Sequence, residues 1–384
     1  MLGFARKLLR LLRKKRFAYT PLIEIRIGKG ALLHNLKVFQ EQKKGVAVAP
    51  VLKSNAYGHG LVEVARILDG EGLPFFCVDS YFEALILRNE GIRTPILIIG
   101  YTPAGTILKS RLADVAFGII GVQDLRSLAS LARAPVAIHL KVDTGMHRHG
   151  IAPSEIEDAC MLIRANKHIV LEGVYSHLAD ADTPNSAHAA AQIAEWNKTV
   201  PRVRAKTPSV RFFHLAATTG SFYAQKIDAN VMRLGIGLYG INVSLEKLDL
   251  RPALEMRTRI TSIHTLRAGE SVGYNAAFKA PRDMRIATIP AGYAEGVDRR
   301  LSSKGSIVVR GASCPVVGRV SMNITSIDAS NVADVHIGDE AVVISSNAAD
   351  ANSVEHIAKL CDTIAYEILV HIPAHLRRVV VEST

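Results

Sequence analysis

Several apolar segments of this sequence carry polar residues at or near their ends, where side chains can do chemistry. Lys53 closes the apolar run 46–52 and is followed by SNAYGHG. A segment of this kind predicts a strand buried on both faces, and such a strand rarely ends in a lysine unless the amine has a use. Four further polar residues lie at or near the ends of other apolar segments: Lys141, His177, His214 and Arg233.

Residues with hydroxyl groups or accessible backbone N–H groups follow two of these positions. Thr218, Thr219 and Gly220 come after the segment that contains His214, and Gly235 and Ile236 come shortly after Arg233. Hydroxyl groups and free backbone N–H groups can hold a phosphate dianion. Taken alone, each residue is more often structural. An amine at one strand end and a phosphate cradle at others together indicate a phosphate-bearing aldehyde cofactor held as an imine.

The elements that must position these residues alternate in type between residues 22 and 240. Eight apolar strand-like segments are separated mostly by helix-like segments such as LVEVARIL and YFEALILRNE. This pattern predicts a parallel sheet covered on its outside, and eight units favour a closed (β/α)₈ TIM-like barrel. Chemistry in such barrels collects at the C-terminal ends of the strands, with phosphate sites after strands seven and eight. The eight segments are VAVAPVL, FFCVDS, PILIIGY, VAFGII, VAIHLKVD, LEGVYSHL, FFHLAA and MRLGIGLYG.

The character of the sequence changes after residue 255. Short β-rich segments such as SIVVRG, CPVVGRV and EAVVIS predict a mainly antiparallel β-domain. The segment SVEHIAKLCDTIAYEILVHI predicts one final helix, with Asn352 as its N-cap and Glu355 three residues later. We therefore divide the chain into an N-terminal segment (1–18), an α/β barrel (19–250) and a C-terminal β-domain (251–384).

The net charge of +12 is concentrated at the N-terminus, since seven positive charges fall in the first sixteen residues and leave +5 for the rest. This distribution argues against nucleic acid as the partner of the folded part. The segment MLGFARKLLRLLRKKR is amphipathic and basic, as in segments that lie on an anionic membrane surface or act as targeting arms. A frayed tail or a misassigned start codon explains it equally well, and we expect it to lie outside the fold.

Composition otherwise describes an ordinary globular protein. The four cysteines are far apart and show no CxxC or metal-ligand spacing, which favours reduced thiols in a cytoplasmic protein and no metal site. No apolar run reaches transmembrane length. The cysteines are Cys77, Cys160, Cys314 and Cys361.

Motifs along the whole chain resemble those of alanine racemases, which are fold-type III enzymes that use pyridoxal 5'-phosphate. The resemblance runs from about residue 22 to the C-terminus. It implies interconversion of L-alanine and D-alanine by two bases, supplying D-alanine for peptidoglycan in the cytoplasm. The motifs are VLKSNAYGHG, LKVDTGMHRHGI, GVYSHLADAD, MRLGIGLYG, SVGYNAAF, IPAGYAEG, VGRVSMN and TIAYEIL, in the family's order and spacing.

The resemblance implies roles for three residues that act on the substrate. Lys53 would bind the cofactor aldehyde as an imine and act as the base on the D-face. Tyr274 would be the opposing base and would reach into the barrel of a partner subunit, in a head-to-tail homodimer with shared active sites. Met322 would help to bind the substrate carboxylate, also from the partner chain.

Other matching residues would hold the cofactor. Arg233 would face the pyridine nitrogen, with His214 behind it and His177 between Arg233 and the tyrosine base. Arg148 matches an arginine that reaches the cofactor's phenolic oxygen and the substrate, and Lys141 matches a lysine that many relatives carbamylate to orient that arginine. The positions that hold the phosphate correspond to Tyr57, Thr218, Gly235, Ile236 and Tyr366.

Arginine at the ring nitrogen discriminates among rival functions. With a pKa above about 12 it does not protonate that nitrogen, so the ring withdraws electrons less strongly and transamination is disfavoured. Barrel decarboxylases of the ornithine or diaminopimelate type place a glutamate there, and Arg233 argues against them. A pyridoxal-phosphate carrier would need no second base and hence no domain bearing Tyr274. A racemase of another or broader amino-acid range stays open.

Four positions depart from the family's pattern. Ala217 and Thr218 stand where relatives usually carry Asn-Ser, although a threonine hydroxyl can still bind phosphate. Asn323 replaces the usual aspartate after Met322, near the substrate entry, and Arg26 replaces an aspartate in the opening strand.

Overall fold

The computed structural model describes residues 20–42, 45–222, 226–243 and 248–383. The basic N-terminal segment predicted at residues 1–18 lies outside them. The chain forms two compact units, which we name the barrel unit and the β unit. Among the described residues, the barrel unit comprises those within 25–255, 344–374 and 378–383, and the β unit comprises those within 20–24, 256–343 and 375–377.

The barrel unit begins with alternating strands and helices. Its strands are β1 (Glu24–Gly28), β2 (Ala47–Pro50), β3 (Phe76–Val78), β4 (Ile96–Ile98), β5 (Val115–Ile119), β6 (Val136–Lys141), β7 (Ile169–Tyr175), β8 (Phe212–His214) and β9 (Val231–Leu234). Its first helices are α1 (Lys29–Gln42), α2 (Leu61–Leu68), α3 (Tyr81–Asn89), α4 (Ala104–Lys109), α5 (Val122–Leu131), α6 (Ile156–Ala165) and α7 (Ala187–Lys206).

Strands β2 to β9 close into a ring. Strands β3 to β8 pair in chain order as a six-stranded parallel sheet, and β2 pairs in parallel with β9. A parallel bridge between Val51 and Cys77 joins β2 to β3. A hydrogen bond of 3.0 Å from the backbone N–H of Asn230 to the carbonyl of Phe213 joins β8 to β9. These contacts confirm the predicted (β/α)₈ barrel.

Burial patterns explain why these segments take these forms. Every residue of β3, β4, β5 and β9 is buried, as expected for strands with one face in the barrel interior and the other under helices. Helix α2 buries Leu61, Val64, Ala65 and Leu68, a spacing that places them on one helical face. Burial of apolar residues therefore stabilises the ring of strands. The polar residues at the strand ends are positioned by this ring and contribute little to its stability.

The β unit is mainly antiparallel, as predicted. The strands that follow the barrel are β10 (Leu254–Arg259), β11 (Ser262–Leu266), β12 (Ser271–Val272), β13 (Phe278–Lys279), β14 (Met284–Ile289), β15 (Ser306–Val309), β16 (Ala312–Pro315), β17 (Thr325–Asp328) and β18 (Glu340–Ile344). Strand β14 pairs antiparallel with β11 and β17, β12 pairs with β13, and β15 pairs with β16 and β18. A small core of Ala280, Met284, Ile286 and Val317 lies in this unit.

The predicted single C-terminal helix is wrong, because the structure has two short helices there. They are α8 (Val354–Leu360) and α9 (Ala365–Val370), separated by a turn in which Asp362 has a positive φ of 51°. The predicted N-cap, Asn352, is also wrong: the hydroxyl of Ser353 accepts a hydrogen bond from the backbone N–H of His356. Serine is as good an N-cap as asparagine, so sequence preference alone did not separate the two neighbours.

The C-terminal segment ends in a strand, β19 (Arg377–Val381). The four cysteines are buried and form no disulfide. None of the helices in the described part of the chain combines the length and apolar character needed to span a bilayer.

Candidate active site

Lys53 stands at the start of a left-handed helical turn that follows β2. Ser54, Asn55, Ala56 and Tyr57 all have φ between 52° and 56°, a region that costs an L-residue roughly 1–2 kcal/mol. Such strain persists only where surrounding contacts enforce it. The turn leaves Lys53 half-buried at the strand end and buries the ring of Tyr57.

Contacts with residues outside the turn enforce its shape. One carboxylate oxygen of Glu83 accepts a hydrogen bond of 2.7 Å from the backbone N–H of Ser54, while its other oxygen caps the N-terminus of α3. The side chain of Asn55 accepts one of 2.9 Å from the N–H of Leu61. At Gly58, which has φ +81°, a Cβ atom would lie 2.0 Å from the carbonyl oxygen of Leu369. Only glycine fits there.

Arg233 is buried at the end of β9 and donates all four of its Nη hydrogens. Nη1 lies 2.8 Å from both Nδ1 and the backbone carbonyl of His214. Nη2 lies 2.6 Å from the carbonyl of Ser176, 3.0 Å from that of Leu215 and 3.2 Å from Nδ1 of His177. Since arginine can only donate, both imidazole Nδ1 atoms accept, and the proton of each neutral ring lies on Nε2.

The imidazoles beside Arg233 are held neutral. Burial lowers the pKa of His177 to about 3, and the positive charge of Arg233 acts in the same direction. Burial and the same guanidinium hold the pKa of His214 well below its usual range. Within the described part of the chain, Arg233 has no carboxylate at ion-pair distance, so a buried cation is held by carbonyls and neutral rings. Such a site favours an electron-rich or anionic ligand.

A second group of side chains surrounds Gly235. A Cβ atom at this position would lie 2.9 Å from the hydroxyl of Tyr57 and 3.9 Å from that of Thr218. Thr218 also accepts a hydrogen bond of 3.3 Å from the backbone N–H of Gly237, and the ring of Tyr366 lies 5.9 Å from that of Tyr57. Side-chain hydroxyls and glycine backbone therefore converge on one place, next to the buried Ile236.

Both tyrosines of this group remain hydrogen-bond donors. Burial raises the pKa of Tyr366 to about 12, with Asp182 acting in the same direction. Burial also raises the pKa of Tyr57, with a smaller contribution from Tyr366. A neutral phenol can donate to an anion, whereas a phenolate would repel it. These residues are suited to bind a phosphate.

Lys141 ends β6 among positive charges. Its side chain is buried, and Nζ lies 5.8 Å from the ring centroid of Tyr175. The pKa of Lys141 is lowered to about 8. Burial is the largest cause, and the charges of Arg148 and Arg233 act in the same direction, whereas Asp143 opposes them. Arg148 is exposed, in a loop that follows β6. One oxygen of Asp143 shapes that loop by accepting from the N–H groups of residues 145–147, at 2.9, 2.9 and 3.1 Å.

Tyr274 and Met322 lie in the β unit and are exposed, at 69% and 56%. The structure thus gathers the other predicted site residues in the barrel unit and leaves these two on the surface of the β unit. Next to Met322, the amide of Asn323 donates a hydrogen bond of 2.7 Å to Glu295. An aspartate there would bring two carboxylates together, so the asparagine removes a repulsion.

The structure also identifies neighbours of the site that the strand-end argument missed. The hydroxyl of Tyr239 donates to the carbonyl of Val51 at 2.8 Å, and His59 packs on the Tyr239 ring at 4.4 Å. His139 lies 2.9 Å from His214, in mid-strand. It precedes Lys141 by two residues and so shares its face of β6, a signal that could have found it.

No group of three or more His, Cys, Asp or Glu residues within the described ranges could hold a metal ion. The arrangement consists instead of an amine, a buried guanidinium and a set of hydroxyls. It can bind an aldehyde that carries both a phosphate and a basic ring.

The chain matches two family models. "Alanine racemase, N-terminal domain" matches residues 27–243, and "Alanine racemase, C-terminal domain" matches residues 253–380. A protein named alanine racemase from Syntrophobacter fumaroxidans is 36% identical over 351 residues, covering 90% of this chain and 93% of the relative. One from Sorangium cellulosum is 35% identical, covering 90% of this chain and 96% of the relative.

Solved structures of similar proteins carry the same fold. The alanine racemase of Streptomyces lavendulae superposes with a TM-score of 0.85 at 27% identity, covering 94% of this chain and 98% of that one. The alanine racemase of Bacillus anthracis, solved with bound L-Ala-P, superposes with a TM-score of 0.86 at 28% identity, covering 95% and 96%.

The buried histidines predict that acid destabilises the fold between about pH 7 and pH 5. The pKa values of His59, His139 and His177 are lowered to about 4, 3 and 3, and that of His214 lies well below its usual range. In this window the unfolded chain binds more protons than the folded one, so stability rises with pH and is lost as pH falls. Each histidine contributes at most about 1.4 kcal/mol per pH unit.

Urea unfolding at a series of pH values measures this slope. The variant His177→Gln should show a shallower slope, by about one histidine's contribution, because it lacks one of the titrating groups. A flat stability curve across the window, or an unchanged slope in the variant, would contradict the assignment of these rings as neutral.

Proposed function

The chain belongs to the alanine racemase family, and from this premise we infer that it interconverts L-alanine and D-alanine. The observation that carries the inference is the buried guanidinium of Arg233 at the end of β9, in the same barrel as Lys53 at the end of β2. Both lie at C-terminal strand ends, where barrel enzymes carry their chemistry. A lysine for the aldehyde is common to enzymes that use this chemistry, whereas an arginine for the ring nitrogen distinguishes racemisation from the related reactions.

We propose that the cofactor is pyridoxal 5'-phosphate, and the described residues fit its three functional groups. Lys53 supplies the amine for the aldehyde. The hydroxyls of Tyr57 and Thr218, with the backbone at Gly235 and Ile236 and the phenol of Tyr366, suit the phosphate. When bound, pyridoxal phosphate delocalises the electron pair that remains on the α-carbon after proton removal.

Arg233 suits the remaining group, the pyridine nitrogen. Its four Nη hydrogens are committed to carbonyls and imidazoles, and its Nε–H donates to no residue that the structure describes. This donor is available to a ring nitrogen that accepts. Because arginine keeps its proton, Arg233 would leave that nitrogen unprotonated and would so weaken the electron withdrawal that transamination needs. This property favours racemisation over transamination.

Racemisation needs one group on each face of the α-carbon. In this proposal the phenolic oxygen of Tyr274 takes the α-proton of L-alanine, and Nζ of Lys53 gives a proton to the opposite face. The roles reverse for D-alanine. Met322 and Arg148 would orient the substrate carboxylate, Arg148 would also bind the cofactor's phenolic oxygen, and His177 would link Arg233 to the tyrosine.

We propose that the working assembly is a head-to-tail homodimer in the cytoplasm. The family resemblance assigns Tyr274 and Met322 of each chain to the partner's barrel, and both side chains are exposed on the β unit. The product D-alanine would serve peptidoglycan synthesis. Among the described residues no helix could span a membrane.

An amino-acid panel in deuterium oxide tests the activity. We expect L-alanine and D-alanine each to lose chirality and to gain α-deuterium, as chiral chromatography and mass spectrometry would show. Larger amino acids should react more slowly. Equal turnover of several side chains would indicate a racemase of broader range, and loss of carbon dioxide would indicate a decarboxylase.

Borohydride reduction tests the cofactor site in the same preparation. The purified protein should be yellow, and peptide mapping after reduction should place the pyridoxyl group on Lys53. The variant Lys141→Arg serves as the matched control, since it should keep the label. A label on Lys141 in the unchanged chain would overturn the assignment.

Replacing Tyr274 by phenylalanine tests the two-base mechanism. Colour should survive, because the lysine is intact, while racemisation falls in both directions by roughly 10²–10⁴-fold. Proton NMR of α-deuterated substrates in ordinary water should show washout from the D-isomer alone, whose deuterium faces Lys53. The exposed Tyr101 provides the control variant Tyr101→Phe, which should react normally. Equal washout from both isomers would mean that one base serves both faces.

The same variant tests whether the active site is shared. Mixing Lys53→Ala with Tyr274→Phe subunits should restore part of the activity, since one of the two sites in a mixed dimer then has both bases. Verified subunit exchange without recovery would show that each chain supplies its own tyrosine.

We also propose that Lys141 is carbamylated. Its neutral amine would attack carbon dioxide, form a C–N bond and release one proton. Because burial lowers the pKa of Lys141 to about 8, more of its amine is neutral at physiological pH than for an ordinary lysine. The product is an anion beside Arg148 and Arg233, so carbamylation replaces repulsion with attraction.

Carbon-13 NMR of protein incubated with labelled bicarbonate detects the carbamate. The signal should grow as pH rises through about 8, following the neutral amine. It should vanish in Lys141→Arg, which keeps the positive charge but cannot react. Persistence of the signal in that variant would assign it to another amine.

A further inference from the structure

His139 lies behind the residues already placed in the site. It sits in the middle of β6 and is 1% exposed. Its Nδ1 atom lies 2.9 Å from Nε2 of His214, and Nδ1 of His214 lies 2.8 Å from Nη1 of Arg233. Three side chains from three strands thus form a hydrogen-bonded row that ends at the guanidinium.

The direction of every hydrogen bond in this row follows from the arginine at its end. Arginine has no acceptor atom, so Nδ1 of His214 must accept. The single proton of a neutral His214 then lies on Nε2 and is donated to Nδ1 of His139. His139 in turn carries its own proton on Nε2. Burial lowers the pKa of both rings, which agrees with one proton on each.

The backbone is shaped to admit the ring of His139. The pairing of β6 with β7 shifts register between Ile138 and His139, which brings His139 opposite Gly173. A Cβ atom on Gly173 would lie 2.4 Å from Nδ1 of His139. Any other residue at position 173 would therefore displace the nitrogen that faces His214.

Two aromatic rings complete the enclosure. Phe75 meets His139 edge to face, with ring centroids 5.3 Å apart, and Phe212 stacks on it at 5.8 Å. The ring is therefore held by packing as well as by its hydrogen bond.

We propose that His139 is a positioning residue: by accepting the Nε2 proton of His214, it holds His214 in the tautomer whose Nδ1 accepts from Arg233. Without that acceptor, the buried N–H of His214 has lost its partner. The alternative tautomer would move the proton of His214 to Nδ1, where its N–H would face the N–H groups of Arg233, which is repulsive. Arg233 would then lose one of its fixed contacts. The effect on turnover rests on the proposed racemase function, but the effect on the tautomer does not.

Nitrogen-15 NMR of the full-length holoprotein, labelled in its histidines, reads the tautomer directly. In the unchanged chain, His214 should be protonated on Nε2 alone, with its signals assigned by their loss in His214→Phe. In His139→Phe, which keeps an aromatic ring between Phe75 and Phe212 but offers no acceptor, His214 should change tautomer or populate both. In His139→Asn the side-chain oxygen can take the place of Nδ1, so the Nε2-protonated form should return.

Kinetics should follow the tautomer. We expect kcat of His139→Phe to fall on the order of tenfold, the cost of one unsatisfied buried hydrogen bond, with KM changed less than about twofold. His139→Asn should recover most of the loss. Gly173→Ala, which pushes on the same ring from the neighbouring strand, should lower kcat in the same direction and serves as a second variant if His139→Phe folds poorly.

The control for simple loss of packing is Leu140→Val, a buried neighbour in β6. It should lower the thermal unfolding midpoint without moving the His214 signals. His214 protonated on Nδ1 in the unchanged chain, or identical His214 signals in the unchanged chain and His139→Phe, would overturn the proposal. So would equal kcat in the phenylalanine and asparagine variants. If no amino acid is racemised, the proposed function fails, while the NMR comparison still decides the tautomer.

Discussion

The site depends on one buried cation that has no carboxylate partner among the described residues. Arg233 is satisfied by three backbone carbonyls and two imidazole nitrogens. Acceptors without charge leave the positive field of the guanidinium uncancelled, and this field reaches the neighbouring groups. It helps to keep His177 and His214 neutral and to lower the pKa of Lys141. Burial is the larger cause of each of these pKa shifts, and the charge of Arg233 adds to it in the same direction.

The sequence predicted the barrel and the location of its chemistry because both follow from simple patterns. Continuous apolar strands alternating with helices specify the ring, and polar residues at strand ends specify the rim. Lys53, Arg233 and Thr218 were identified in this way. Roles for Tyr274 and Met322 came only from the family resemblance, since exposed residues in a β-rich region carry no comparable periodic signal.

Some features that escaped prediction depend on contacts between distant parts of the chain, and others depend on small local differences. His139 lies in mid-strand, and its hydrogen bond to His214 arises from a register shift that no local pattern records. The break between the last two helices and the choice of Ser353 over Asn352 as N-cap depend on small local differences. The left-handed turn after Lys53 is contrary to the intrinsic preference of every residue in it, so only its tertiary partners could reveal it.

That turn also bears on when the protein can acquire its site during synthesis. Gly58 packs against the carbonyl of Leu369, and the guanidinium of Arg378 donates to the carbonyl of Gly58 at 2.8 Å. These partners are more than three hundred residues apart in sequence. A chain emerging from the ribosome can form most of its barrel strands before either partner has been made. The segment that carries Lys53 therefore reaches its final geometry only after Leu369 and Arg378 have been made, so chains that lack these residues should fold without this turn.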